Sequence, residues 1–375
     1  MALLNFGGPR TAAEVEPFLY NLFADRDVIQ LPVGRRIQER IARRVARRRA
    51  PEVTHQYEAI GYSPLVPVSL RQADALRAAL RERGLLGPLA VGMRYTAPWT
   101  RDAVGELRAA GVDSIVALAL YPHYSIATTG SSFNDLTRCL VAAGMGDVPV
   151  HHVPAWFHHP GYLSAMAARI RAGVEALGGD VHLLFSAHGL PSSYVRKGDP
   201  YQAQVQETVR SVLRELRWGG GASLAWQSRV GPVRWLAPST EGALVALGGA
   251  GVTTLLVVPV SFVGDHIETL YEIDVTYREV ARAAGITRFA LMPPLDDHPD
   301  LVACLADQVQ GTLRGERVCV RCALPREDAW HYARRCPDCH FRKPLFVVHE
   351  QERRERALLA RATVPGGPGR SGPSA

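Results

Sequence analysis

Asp265, Glu268 and Glu272 stand at i, i+3 and i+7 of the stretch Asp265-His-Ile-Glu-Thr-Leu-Tyr-Glu-Ile-Asp274, so a helix there carries three carboxylates on one face. Ile267, Leu270, Tyr271 and Ile273 supply its apolar side. A row of acid is ordinarily solvated surface. Here, however, the row follows an apolar, β-branched run, Thr253 to Val260, after only a short polar break. Open α/β sheets place their ligands just beyond the carboxyl ends of such strands. A second apolar run, Val181 to Ser186, ends in Ala187-His188-Gly189-Leu190-Pro191, where glycine and proline turn the chain directly after the imidazole. An imidazole facing carboxylates across a cleft suits a divalent metal in transit, or proton transfer near neutral pH.

The second cluster with chemical potential is Cys319-x-x-Cys322 and Cys336-x-x-Cys339. Paired thiolates at this spacing are metal ligands, and in a reducing compartment they point to metal rather than to disulfides. Spacing alone favours a zinc ribbon or a single iron. Cys139 and Cys304 read as ordinary buried thiols.

The elements that must position these groups alternate along the chain. Leu3 to Phe6 reads as a strand closed by Gly7-Gly8-Pro9, followed by a helix from Thr11 to Asp25. Gln56 to Pro64 is turn-rich, and a helix spans Ser69 to Arg83. A strand from Leu89 to Met93 delivers Arg94 and Tyr95; a helix from Thr100 to Ala110 precedes the strand Ser114 to Leu120, which delivers Tyr121, His123 and Tyr124. A second round begins near Pro154, with helices at Gly161 to Ala176, Tyr201 to Leu216 and Thr240 to Leu247, and a last helix from Asp300 to Leu313. Alternation of this kind predicts a parallel sheet wrapped by helices, an α/β fold. The two rounds share a layout without an evident residue-level repeat. We expect domains at 1–153 and 154–315, a four-cysteine segment at 316–345, and at 346–375 a helix and a disordered tail of Gly, Pro, Ser and Arg.

Composition narrows the partners. The 375 residues are 47% hydrophobic and 21% charged, as in a soluble globular chain, and carry a formal charge of +7 almost entirely from arginine. Such basicity suits a membrane surface, nucleic acid or a carboxylate-bearing substrate. Arg35, Arg36, Arg40, Arg43, Arg44 and Arg47 to Arg49 follow the apolar positions Val15, Phe18, Leu19, Leu22, Phe23, Val28, Ile29 and Leu31. That pairing reads either as a core helix beside a solvated basic one or as an exposed apolar lip with a basic patch. No apolar run is long enough to span a bilayer and no signal sequence leads the chain, so the expected location is cytoplasmic. Neither G-x-G-x-x-G nor G-x-x-x-x-G-K-[ST] occurs after a strand, so no nucleotide is expected.

Leu184-Phe-Ser-Ala-His-Gly-Leu-Pro191, Gln227-Ser-Arg-Val-Gly-Pro232 and Asp265-His-Ile-Glu-Thr-Leu-Tyr-Glu-Ile-Asp274 together resemble the signature blocks of ferrochelatase. So do Asn5-Phe-Gly-Gly-Pro9, Asp25-Arg-Asp27, Arg94-Tyr95, Tyr121-Pro-His-Tyr-Ser125 and Thr128-Thr-Gly-Ser-Ser132. The blocks occur in the family's order over residues 1 to 315. The resemblance implies two Rossmann-like domains, each with a four-stranded parallel sheet, that hold a porphyrin between them and insert Fe2+ into it. The family's catalytic His and Glu match His188 and Glu268, one serving the metal and the other the pyrrole protons, while Asp265 and Glu272 extend an acidic track. Its ring-contacting positions fall on Phe6, Leu22, Val28, Pro32, Arg94, Tyr95, Tyr121, Trp235 and Phe262, with Arg94 placed to answer a propionate.

The resemblance also implies peripheral membrane association through a lip matching residues 17 to 31. Leu22, Val28 and Leu31 look more like the branch that uses protoporphyrin IX to make haem b than the coproporphyrin III branch. Some members carry a C-terminal 2Fe-2S cluster. Here Ile126 stands at the family's internal cluster ligand, so Cys319, Cys322, Cys336 and Cys339 would supply all four ligands, to a 2Fe-2S cluster or to Zn2+. Rival readings are a cobalt chelatase on the same architecture and a non-catalytic porphyrin or nucleic-acid binder that uses the arginine run. The long match argues against both, and no nucleic-acid partner is expected. Nothing in the sequence sets the oligomeric state.

Overall fold

In the computed structural model, which describes residues 1–315 except 30, 230 and 232, strands and helices alternate in two rounds. The first round is β1 (Ala2–Asn5), α1 (Ala12–Ala24), α2 (Arg35–Ala59), α3 (Leu65–Glu82), β2 (Ala90–Met93), α4 (Thr100–Ala109), β3 (Ile115–Ala119), a short π-helix (Ile126–Gly130), α5 (Ser131–Ala142) and β4 (Val150–Val153). The second is α6 (Pro160–Leu177), β5 (His182–His188), α7 (Ser192–Arg196), α8 (Tyr201–Leu216), β6 (Ala222–Gln227), α9 (Thr240–Gly249), β7 (Thr254–Pro259), a second π-helix (Glu268–Tyr277), α10 (Arg278–Ala283), β8 (Arg288–Leu291) and α11 (Pro299–Leu313).

The strands form two four-stranded parallel sheets, ordered β2-β1-β3-β4 and β6-β5-β7-β8. This confirms the α/β expectation. Parallel pairing requires crossovers, and these bury the central strands on both faces. β1, β3 and β7 are accordingly buried along their whole length and β5 at all but its ends. The edge strands β4, β6 and β8 keep exposed or half-exposed positions. They therefore carry Val-His-His-Val, Ala-Ser-Leu-Ala-Trp-Gln and Arg-Phe-Ala-Leu rather than continuous apolar runs, and the sequence pattern does not announce them.

The two rounds match in more than strand order. In each, the second strand is followed by a cis Ala-Pro bond and a helix beginning at threonine: Ala97-Pro98-Trp99-Thr100 and Ala237-Pro238-Ser239-Thr240. Met93 and Trp226, near the two strand ends, bridge to Trp99 and Ser239. The third strand of each round leads to a π-helix. A residue-level trace of repetition therefore exists, too short to stand out in the sequence.

The largest apolar cluster runs through both rounds, from Leu3, Leu76 and Leu118 to Trp156, Tyr162, Met166, Leu183 and Phe185. α11 belongs to it through Leu301, Leu305 and Val309, and packs on α3 and β4 as well as on α6. Arg83 reaches Asp307 at 2.6 Å along the same contact. The last described helix thus clamps the first half to the second.

α1 and α2 pack on each other as a separate lip. Val15, Phe18 and Leu19 meet Ala46, Val53 and Tyr57 in an apolar cluster of their own. Burial of Val53 and Tyr57 explains why α2 continues to Ala59, into the segment that composition marks as turn-rich; the chain then leaves the helix through Gly61 and Tyr62, both at φ 70°. Part of the arginine run is engaged, with Arg47 on Glu16 at 3.4 Å, Arg43 over the Tyr20 ring and Arg49 over Phe23. Ile37 and Ile41, one turn apart on α2, are 51% and 40% exposed. The α1 side of the lip is therefore core, and the apolar surface it presents is on α2.

Phe185 is fully buried at the middle of β5. Phe185→Ala is expected to cost about 3–5 kcal/mol, read as a lower denaturant midpoint at unchanged m.

Candidate active site

His188 is the last residue of β5, in register with Gln227 of β6. The chain turns immediately, with Gly189 N–H donating to the Gln227 carbonyl at 2.8 Å. A Cβ at Gly189 would stand 2.6 Å from that oxygen and 3.1 Å from the Trp235 ring, so glycine is a steric requirement. Trp235 in turn bridges to Pro191. The turn holds His188 at the carboxyl edge of the sheet, with its side chain 39% exposed.

Glu268 opens the second π-helix, and its carboxylate lies between two imidazoles. Oε1 is 3.8 Å from His188 Nδ1, and Oε2 is 2.5 Å from His266 Nδ1. The Glu268 amide nitrogen is also 3.0 Å from that Nδ1. Burial pushes the Glu268 carboxyl up, but His266 and then His188 outweigh it and hold the group down at about 2. Phe262 stands edge-on to both imidazoles, 3.8 Å from the His266 ring and 6.2 Å from that of His188. Among the described residues His266 Nε2 is buried without a partner.

The acidic row differs from the α-helical expectation. The regular winding starts only at Glu268 and is wider than α, with Thr269, Ile273 and Tyr277 buried at every fourth residue. Glu272 accepts from Ser228 N–H at 2.9 Å, Tyr277 Oη at 2.7 Å, Gln227 Nε2 at 3.4 Å and the Ser228 hydroxyl. It therefore ties the helix to the end of β6. Gln227 Nε2 also donates to the Glu268 carbonyl at 3.2 Å, so Glu268 and Glu272 share a neighbour. Asp265 precedes the helix and accepts from Thr269 Oγ1 at 2.8 Å, and burial raises its carboxyl.

On the first half, one oxygen of Asp25 accepts from Arg94 Nη2 at 2.7 Å, Tyr95 Oη at 2.7 Å and Ser131 Oγ at 2.5 Å. Arg94 also donates to Ser131 and lies 3.6 Å from Asp135. Arg94 is thus already ion-paired, and a propionate there would share it. Phe6 stacks edge-on to Tyr95 at 4.6 Å, and Leu22 and Val28 pack half-buried on the same cluster with Ile267, the neighbour of Glu268. Tyr194 of α7 donates to the Val28 carbonyl at 2.7 Å, joining the lip to the second half. Tyr121 packs instead with Ala119 and Phe133, and Pro32 is exposed on the lip. Cys319, Cys322, Cys336 and Cys339 lie outside the described residues. His266, Gln227 and Asp25 acquire roles that the sequence does not flag, because a single polar residue inside a motif has no periodic signal.

The depressed Glu268 carboxyl carries a pH signature. Its ionisation stabilises the fold at every pH above its ordinary 4.5, and that contribution is lost as the pH falls through about 2. The stability gap between the wild type and Glu268→Gln should narrow as the pH falls below about 4.5 in chemical denaturation. A gap unchanged at about pH 3 would contradict the assignment.

The family model for ferrochelatase matches residues 1–313. The ferrochelatase of Synechococcus sp. (strain RCC307) is 43% identical over 85% of this chain and 83% of its own. That of Synechococcus elongatus is 44% identical over 84% and 82%, and that of Prochlorococcus marinus (strain NATL1A) 43% over 84% and 83%. Among solved structures, SirB from Bacillus subtilis aligns with a TM-score of 0.47 and 12% identity over 64% of this chain and 88% of its own, a likeness too slight to bear on substrate. The match over nearly all the described residues has one meaning: this chain belongs to the ferrochelatase family, enzymes that insert Fe2+ into a porphyrin.

Proposed function

We propose that the chain inserts Fe2+ into protoporphyrin IX, forming haem b, with His188 and Glu268 as its catalytic residues. The observation that carries this reading is the 3.8 Å approach of a half-exposed imidazole to a carboxylate held ionised. A flat porphyrin presents two N–H groups and a hole closed to a hydrated cation. Metallation therefore needs a distorted ring, two departing protons and an anion near the incoming metal.

An ionised carboxylate attracts a dication, and a neutral imidazole beside it can accept a proton. Glu268 accordingly serves the metal, and His188 takes the pyrrole protons. Glu272 and Asp265 would supply further negative charge along the way to solvent. Phe262, beside the imidazole, Trp235, packed against Gly189, and the half-buried Phe6, Leu22 and Val28 of the lip cluster supply apolar and aromatic walls for the macrocycle. The same apolar walls favour vinyl groups over additional propionates, which supports protoporphyrin.

The exposed Ile37 and Ile41 beside the arginines of α2 support peripheral contact with an anionic bilayer. No helix of the described residues is long and apolar enough to cross one. The paired cysteines support a metal centre, 2Fe-2S or Zn2+, by their spacing. Metal analysis of anaerobically purified protein should find iron with sulfide, or zinc, lost when Cys319 and Cys322 are replaced by Ser; metal-free folded protein would end that reading.

Anaerobic Fe2+ insertion into protoporphyrin IX and coproporphyrin III, followed by loss of free-base fluorescence, tests the substrate. Faster turnover of protoporphyrin is the expected result. A preference for coproporphyrin would keep the chelatase and overturn the proposed product.

A further inference from the structure

Two side chains and the His188 backbone close a ring of hydrogen bonds. The His188 N–H donates to Ser261 Oγ at 3.3 Å, and Tyr201 Oη donates to the His188 carbonyl at 3.0 Å. Ser261 Oγ and Tyr201 Oη are 2.6 Å apart. Because the Tyr201 proton is committed to the carbonyl, the Ser261 hydroxyl must donate to Tyr201. Each group then donates once and accepts once.

The ring stands where the sheet gives out. Pairing of β5 with β7 ends at Ser186 and Pro259, and Val260 N–H makes the last backbone contact, to Ser186. One residue further on, the Ser261 side chain substitutes for the missing ladder. Tyr201 is itself fixed. It is buried at the start of α8, its ring lies 6.0 Å from those of Trp226 and His123, and its N–H donates to Asp199 at 3.0 Å. The other oxygen of Asp199 accepts from Ser125 Oγ and Ile126 N–H, each at 2.9 Å, in the first half.

We propose that Tyr201, acting with Ser261, is a positioning residue that fixes the rotation of the strand end and so aims the His188 imidazole at Glu268. Asp199 seats Tyr201 against the first half, so the aim depends on how the two halves are docked. The inference rests on His188 being the proton acceptor of the proposed function.

The test uses Tyr201→Phe and Ser261→Ala in the full chain, with His188→Ala alongside. Each positioning variant should lower kcat about tenfold while leaving the porphyrin KM within about twofold. The long-range proton–nitrogen NMR signals of the His188 ring, recorded at one fixed pH, should move in both variants while those of His182 stay put. A merely structural role would lower the melting temperature without moving those signals. Wild-type kcat in Tyr201→Phe, or unmoved His188 ring signals, would overturn the proposal while an inactive His188→Ala leaves the proposed function standing. An active His188→Ala would overturn the role of His188 itself, and the positioning proposal with it.

Discussion

The site depends on keeping one carboxylate ionised in a partly desolvated place. An uncompensated charge there is costly, and a carboxyl alone would take up a proton instead. Glu268 avoids this because His266 closes on one of its oxygens and His188 stands near the other. His266 is buried and holds the charge in place, whereas the His188 side chain is 39% exposed, although both face the same group.

That arrangement makes demands on the fold. Glu268 must project from the first turn of its helix, and the wide winding there is held by Glu272, which takes four hydrogen bonds from Gln227, Ser228 and Tyr277. His188 must stand at the end of a central strand, beyond the ladder, which leaves its backbone polar groups to side chains. The lip needs a similar node in Asp25, where a single oxygen gathers Arg94, Tyr95 and Ser131. In each case hydrogen bonding to a buried or half-buried polar group fixes the direction of its neighbours. Both halves contribute such nodes, and α11 holds the halves together.

Much of this was legible in the residues. Central strands show as apolar runs because they are buried on both faces, and His188 and Glu268 stand out because each follows such a run. The edge strands β4 and β8 do not show, since Val150-His-His-Val153 and Arg288-Phe-Ala-Leu291 answer to water on one side. The winding at Glu268 is hidden for another reason: Ile267, Leu270, Tyr271 and Ile273 fit an α-helical stripe, whereas the structure buries Thr269, Ile273 and Tyr277. The ring of Tyr201, Ser261 and His188 leaves no pattern, because its members come from β5, the start of α8 and the loop after β7. Three-body hydrogen bonding across such separations has no periodicity to read.

If His188 and Glu268 act as one unit, their substitutions must be non-additive. Single-turnover Fe2+ insertion in His188→Ala, Glu268→Gln and the double variant measures this directly. The expected result is a double variant no slower than the slower single one, because either change alone dismantles the pair. Losses that multiply would mean instead that the two residues contribute separately and form no unit.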